Sequence, residues 1–249
     1  MLHRLLSKCK SGFHMQCGAW LARAGPAWAV LVLGAAILSA CSFTNSLPMP
    51  QGTLIYSTPN VLPPAWTPTT AAPTSIPGWQ LYHGVDVELW LPVGFVGGDP
   101  VGQIEELLGL ARAAGPGYEG IVQALEERPD NLRFYSWELE TYETVVGVTR
   151  HVAPAEMAVE TYVGEWVSAV VQQFPSFNAV SQGTAQVGGR TVGRAVLDLT
   201  QQGAVTRQIS YLFKDGAAVS VLGYAFPADR YSELLPMVEF SVLTFQEVP

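Results

Sequence analysis

The stretch RTVGRAVLDLTQQGAVTRQISYLFKDGAAVSVLGYAF, Arg190 to Phe226, decides the fold. Two turn signals, Gln202-Gly203 and Asp215-Gly216, divide it into three runs rich in β-branched and aromatic residues. The spacing predicts strands over 190–200, 204–214 and 217–226, joined by two-residue turns. Short turns set the register by counting. One face then stacks Val192, Phe213 and Ala218; Val196, Ile209 and Leu222; and Thr200, Val205 and Phe226. The other carries Ala195, Ser210 and Val221, then Leu199, Thr206 and Ala225. Both faces are mostly apolar or small. A half-exposed sheet alternates cleanly, so this pattern implies a sheet covered on both sides.

Working outward, the flanking segments supply the cover. APAEMAVETYVGEWVSAVVQQFP places Val159, Val163, Val167 and Val171 in one helical row and Tyr162, Trp166 and Val170 in the next. Pro175 closes that helix. Two strands, about 132–139 and 144–152, precede it. Before them GGDPVGQIEELLGLARAAGPG predicts a helix with Asp99 as N-cap and Pro100 at its first position. A shorter helix follows over 118–127. VDVELWLPVGF, Val85 to Phe95, alternates as a strand whose polar row, Asp86 and Glu88, faces outward. After the meander a short helix is predicted over 228–235. The expectation is an α+β fold: an antiparallel β-sheet flanked by helices on both faces, a three-layer α/β/α sandwich.

The domain occupies 79–249. Residues 42–78 hold eight prolines, many Thr and Ser, and no charge. Such a segment buries too little to offset its ordering entropy and reads as an extended tether. Residues 27–40 are an uncharged run of about 21 Å as helix, short of the ~30 Å hydrocarbon core. Arg4, Lys8, Lys10 and Arg23 lie upstream, and no acid occurs before Asp86. A basic region, a short apolar core and small residues at the end describe a secretory signal. Leu38, Ser39, Ala40 and Cys41 resemble the bacterial lipobox, which implies removal of 1–40 and lipid on the Cys41 thiol. A start at Met15 would keep Arg23 and shed the rest.

Cleavage there leaves nine Lys and Arg against 21 Asp and Glu, a formal charge of −12. That balance argues against nucleic acid and against a polybasic grip on anionic lipid. Cys9 and Cys17 would leave with the leader, so the mature chain has one thiol, committed to lipid. An intradomain disulfide and a cysteine metal site are excluded on this reading. The protein is expected outside the cytoplasmic membrane, attached to it through Cys41.

The chemistry-bearing residues each admit two readings. Arg190, Arg194 and Arg207 lie together in the meander and form a possible anion-binding patch. The register offers a structural account: Asp198 opposite Arg207 and Tyr211 opposite Arg194. The glycines of VGGRTVG lead into a strand, so they mark a hairpin and not a phosphate loop. Glu138, Glu140 and Glu143 alternate near a strand end, as a solvated loop or a weak acid–base or cation site. His83 and His151 are far apart in sequence, without a nucleophile motif for a triad. Trp66, Trp79, Trp90 and Trp137 are core aromatics or the lining of an apolar groove. No catalytic set, metal site or cofactor is expected.

The stretch WQLYHGVDVELWLPVGFVGG, with its Leu91-Pro92-Val93-Gly94-Phe95 turn, and GTAQVGGRTVGRAVLDLTQQGAVTRQISYLFKDGAAVSVLGYAFPADRYSELLPMVEFSVLTF together resemble the PsbP-like, or DcrB-like (Mog-type), superfamily. The resemblance spans Trp79 to Phe245. It implies the sandwich fold and, because members mostly bind macromolecules and share no catalytic residues, a non-enzymatic role. The leading expectation is an envelope lipoprotein that binds a protein partner or scaffolds an assembly. The alternatives are a carrier or sensor of an apolar or lipid-like ligand, with a pocket between the helix over 155–174 and the sheet, and a hydrolase using Glu138 or His151.

Overall fold

A computed structural model describes residues 76–201 and 203–248. The leader, Leu38, Ser39, Ala40, Cys41, Trp66 and nearly all of the tether lie outside the described residues. In chain order the elements are β1 (Trp79–His83), β2 (Val87–Pro92), β3 (Phe95–Gly98), α1 (Ile104–Ala114), α2 (Glu119–Glu126), β4 (Leu132–Glu138) and β5 (Val145–Val152). They continue with α3 (Val159–Gln173), β6 (Phe177–Val187), β7 (Arg190–Gln201), β8 (Ala204–Asp215), β9 (Ala218–Pro227), α4 (Tyr231–Thr244) and β10 (Gln246–Glu247).

The fold is α+β. Seven antiparallel strands form one sheet in the order β3-β4-β5-β9-β8-β7-β6, and β1-β2-β10 form a second, small sheet. Alternation along the central strands divides the core. Val196, Ile209, Tyr211, Phe213, Leu222, Tyr224 and Phe226 pack with Val87, Leu89 and Leu91 of the small sheet and Val238 and Val242 of α4. Residues of opposite parity form two further clusters. Tyr135, Trp137, Val145 and Ala225 pack with α1 and α2, while Ala195, Leu197, Leu212 and Val221 pack with Val163, Trp166, Val167 and Val170 of α3.

The first hairpin has the predicted register, with Gln201 facing Ala204 and Asp198 facing Arg207. The second differs by two residues: Phe213 faces Ser220, where counting placed Ala218. The turn sits at Gly216-Ala217, one residue later than expected, with Gly216 at φ 54° as the first turn residue. A two-residue slip preserves strand parity, so every side chain keeps its face.

Four other boundaries are corrected. The expected strand over 85–95 is β2 alone, fed by β1 through a tight turn in which Asp86 has φ 60°. Beyond it Gly94, φ 107°, redirects the chain into β3 of the large sheet. Helix α1 starts at Ile104 and not at Pro100; the Asp99 carboxylate accepts the N–H groups of Val101 at 2.7 Å and Gly102 at 2.9 Å, capping the turn before it. Phe177–Val187, which the sequence pattern assigns to no element, is the edge strand β6. Finally, α4 runs through Pro236 to Thr244. Proline removes one helical hydrogen bond, and the burial of Val238, Ser241 and Val242 outweighs that loss. The end of the chain then adds β10, whose Glu247 accepts hydrogen bonds from Arg150 at 2.9 Å and Ser220 at 2.5 Å, tying the small sheet to the large one.

Candidate functional site

Strand alternation puts Arg190, Val192, Arg194, Val196 and Asp198 of β7 on one face with Arg207, Ile209, Tyr211 and Phe213 of β8. The three arginines are therefore brought to one side of the sheet, next to the start of α4, but each is held differently. Arg207 donates from Nε and Nη2 to the two Asp198 oxygens, both at 2.7 Å, and its Cζ lies 4.8 Å from the Tyr231 ring centre. The Asp198 hydrogen bond raises the Arg207 pKa further above its usual value. Arg190 is exposed and sits 5.6 Å over the Phe213 ring. Arg194 lies 5.8 Å from the Tyr211 ring centre; its Nε donates to Tyr211 Oη and its Nη2 to Tyr231 Oη, each at 3.3 Å. Burial works against the Arg194 charge, yet the tyrosine oxygens more than offset it, so the group stays cationic. Burial also pushes the Tyr211 pKa up, which keeps its hydroxyl protonated.

The neighbouring strand leaves Arg194 accessible. Its partner on β6 is Gly183, and a side chain built there would meet nothing within 4 Å. Among the described residues strand β6 ends the sheet and pairs only with β7. Its eleven residues contain no charge and no proline, and its register shifts between Ala179 and Ser181 at the exposed Val180. Sequence reasoning found the arginines and two of their partners by register. It missed Tyr231, which arrives from α4, and the edge itself, whose only signal is an uncharged run before a Gly-Gly turn.

The other candidates do not converge. Glu138 accepts from Thr141 Oγ1 at 2.5 Å, Glu140 is exposed, and Glu143 pairs at 3.0 Å with Arg230, which also holds Glu233 at 2.9 Å. His83 is exposed on β1, 3.4 Å from Glu88. His151 lies buried in β5 with Nε2 2.8 Å from Thr149 Oγ1, and burial lowers its pKa to about 4, so the ring is neutral at pH 7. Thr149 is buried too, which denies a substrate access to that hydroxyl. Among the described residues no group of three or more His, Cys, Asp or Glu is placed to hold a metal ion. Trp137 is fully buried, so it lines no open groove, and the half-buried Trp79 packs at 4.4 Å against Phe240 with the rings tilted by 53°.

The expected pocket beneath 155–174 meets a close contact. A side chain added at Gly193 would fall 2.1 Å from Val163 Cγ2, so α3 rests directly on the β7 backbone. A shallow cavity of about 490 Å³ lies instead beside β1, lined by Gln80, Tyr82, His83, Gly97, Asp99 and Gln103. Among the described residues no helix is long and apolar enough to cross a membrane.

Comparison of the sequence with protein families and with curated proteins returns no match. Solved structures give similarities of fold. The cyanobacterial PsbP (CyanoP) of Synechocystis sp. PCC 6803 has 12% identity and a TM-score of 0.48, covering 72% of this chain and 98% of its own. LpqN, involved in cell envelope biogenesis of Mycobacterium tuberculosis, has 10% identity and a TM-score of 0.42, over 69% of this chain and 91% of its own. The Saccharomyces cerevisiae Ran-binding protein Mog1p has 10% identity and a TM-score of 0.42, over 66% and 90%.

Proposed function

We propose that the chain is a non-enzymatic lipoprotein, held at the outer side of the cytoplasmic membrane by lipid on Cys41, whose domain binds a protein partner or scaffolds an assembly. On this reading α1 to α3, the large sheet, and α4 with the small sheet are the three layers of a PsbP-like sandwich, and residues 42–78 space it from the lipid. The observation that carries the reading is the β6 edge. An edge strand presents a row of unpaired backbone groups, and natural edges are commonly blunted by charges or proline. Strand β6 has neither between Phe177 and Val187, and its bulge at Val180 leaves seven regular residues beyond it. A partner strand added there gains backbone hydrogen bonds at once.

The carrier reading is disfavoured by the α3–Gly193 contact, which leaves no room for an apolar ligand at that point. The hydrolase reading is disfavoured by the burial of His151 and by the register, which puts Glu138 and His151 at opposite ends of the β4–β5 pair. The test is a photo-crosslinking residue at the exposed Thr184 on β6, compared with one at Val152, which is 86% exposed and on another strand. A discrete adduct in intact cells from Thr184 and none from Val152 supports the reading. Equal labelling, or measured turnover of a substrate abolished by a point change in the domain, overturns it. Labelled fatty acid should enter the wild-type chain and fail to enter Cys41→Ala.

A further inference from the structure

Arg194 has an incomplete set of partners. A guanidinium carries five N–H donors and one positive charge. Two donors are used, both on neutral tyrosine oxygens at 3.3 Å, near the long limit of a hydrogen bond. Among the described residues no carboxylate lies within ion-pair distance of it, and the one acid on this face of β7, Asp198, is taken at both oxygens by Arg207. Charged groups that leave bulk water are normally paired. The two tyrosines sharpen the point. Each uses its oxygen to accept from Arg194, and neither brings the negative charge of a carboxylate to it. Tyr211 is buried and serves to hold the Arg194 guanidinium, whereas Tyr231 is half-buried and its hydroxyl lies nearer the surface.

The group offers donors and positive charge; Glu239 of α4 acts on Tyr211 through its charge, and among the described residues no carboxylate reaches Arg194. Arg190 adds a second cation on the same face, its guanidinium over the Phe213 ring. Among the described residues these two arginines have no carboxylate partner, in a chain whose formal charge is −8. The approach is open where Gly183 faces Arg194, since that position has no side chain and empty space above it.

We propose that Arg194, with the Tyr231 hydroxyl beside it, is a binding site for an oxyanion, a carboxylate or phosphate group entering over Gly183 from the β6 side. The planar guanidinium matches a two-oxygen anion, and the Tyr231 hydroxyl donates to a remaining lone pair. Two sources carry this chemistry. One is a small free anion. The other is an Asp or Glu side chain on an extended strand lying against β6, whose carboxylate crosses the bare Gly183 position to reach β7. The site needs no partner protein to exist, so it goes beyond the partner-binding reading and stands or falls separately.

The test is calorimetric titration of the full chain at low and at physiological salt with three probes: inorganic phosphate, glutarate, and a ten-residue peptide alternating Thr and Glu. Loss of a charge-assisted contact predicts that Arg194→Gln weakens binding by about tenfold to a hundredfold. Tyr231→Phe should weaken it less, by roughly threefold to tenfold, since one neutral donor is lost. Gly183→Val keeps every donor and closes the approach, so it should reduce binding as strongly as Arg194→Gln. It also serves if Arg194→Gln fails to fold. Binding of phosphate and glutarate assigns the free-anion source; binding of the peptide alone assigns the strand source. No binding of any probe, or binding unchanged in both Arg194→Gln and Gly183→Val, overturns the proposal. An anion that binds at Arg194 while Thr184 crosslinks nothing leaves this site standing and removes the partner reading.

Discussion

Gly193→Ala is the most direct test of how the helix layer meets the sheet. The added Cβ would lie 2.1 Å from Val163 Cγ2, 3.1 Å from Leu212 Cβ and 3.4 Å from Val159 Cγ2. The first distance is far inside van der Waals contact, and valine in a helix has essentially one χ1 rotamer, so the methyl cannot swing away. Relief requires α3 to lift, which loosens Trp166, Val167 and Val170 as well, all at most 4% exposed. Gly→Ala by itself would stabilise by about 0.4–1 kcal/mol through the unfolded chain. Overpacking costs about 1–3 kcal/mol and at this distance falls at the upper end, so the net effect is destabilising by about 2 kcal/mol. For a domain of this size that lowers Tm by roughly 4–8 °C in a calorimetric scan. Val163→Ala removes the colliding methyl, so in the double variant the two costs should fall short of additivity by about 1 kcal/mol or more. A Gly193→Ala protein that melts at or above the wild type, or strictly additive costs, would refute the reasoning. It would mean that α3 lifts freely, and a ligand space beneath it would return as a serious reading.

Three further outcomes follow from the same geometry. The His151 pKa is about 4 in the folded chain against about 6.5 unfolded, so below pH 6.5 the unfolded chain binds the extra proton. The associated stability is complete above pH 6.5 and falls by about 2–3 kcal/mol between pH 7 and pH 4.5; urea midpoints should show that loss in the wild type and a flatter profile in His151→Gln. Asp198→Asn breaks a two-point contact between groups only 18% and 21% exposed and should cost about 1–3 kcal/mol in urea denaturation, with an unchanged m value. Trp137→Ala should cost about 3–5 kcal/mol, as a fully buried core residue does, whereas a groove-lining residue would lose binding at little cost in stability.

The candidate site was legible in proportion to how local its contacts are. Arg207 with Asp198 and Arg194 with Tyr211 follow from counting across one tight turn, and the structure has both pairs. Tyr231 comes from the start of α4, 37 positions from Arg194, and no count of residues reaches it. That no carboxylate among the described residues pairs with Arg194 depends on what arrives in space, which a sequence does not encode locally. The same holds for Gly183 and Gly193. Both are bare positions on neighbouring strands, yet one opens onto empty space and the other carries a helix.

What the sequence by itself determined was the set of elements whose cause is local. The row of apolar residues in α3, the two strands β4 and β5, the first hairpin and the parity of every residue in the meander came from periodicity and turn chemistry. Tertiary structure decided the rest. Packing carried α4 through Pro236 because its far end is buried; pairing made β6 and β10 strands because β7 and β2 were there to receive them; and the second turn moved by one residue, to where glycine could stand in the left-handed conformation. The physical reason is range. Side-chain alternation and turn preference act over a few residues, whereas burial and strand addition depend on surfaces that exist only once distant parts of the chain have met.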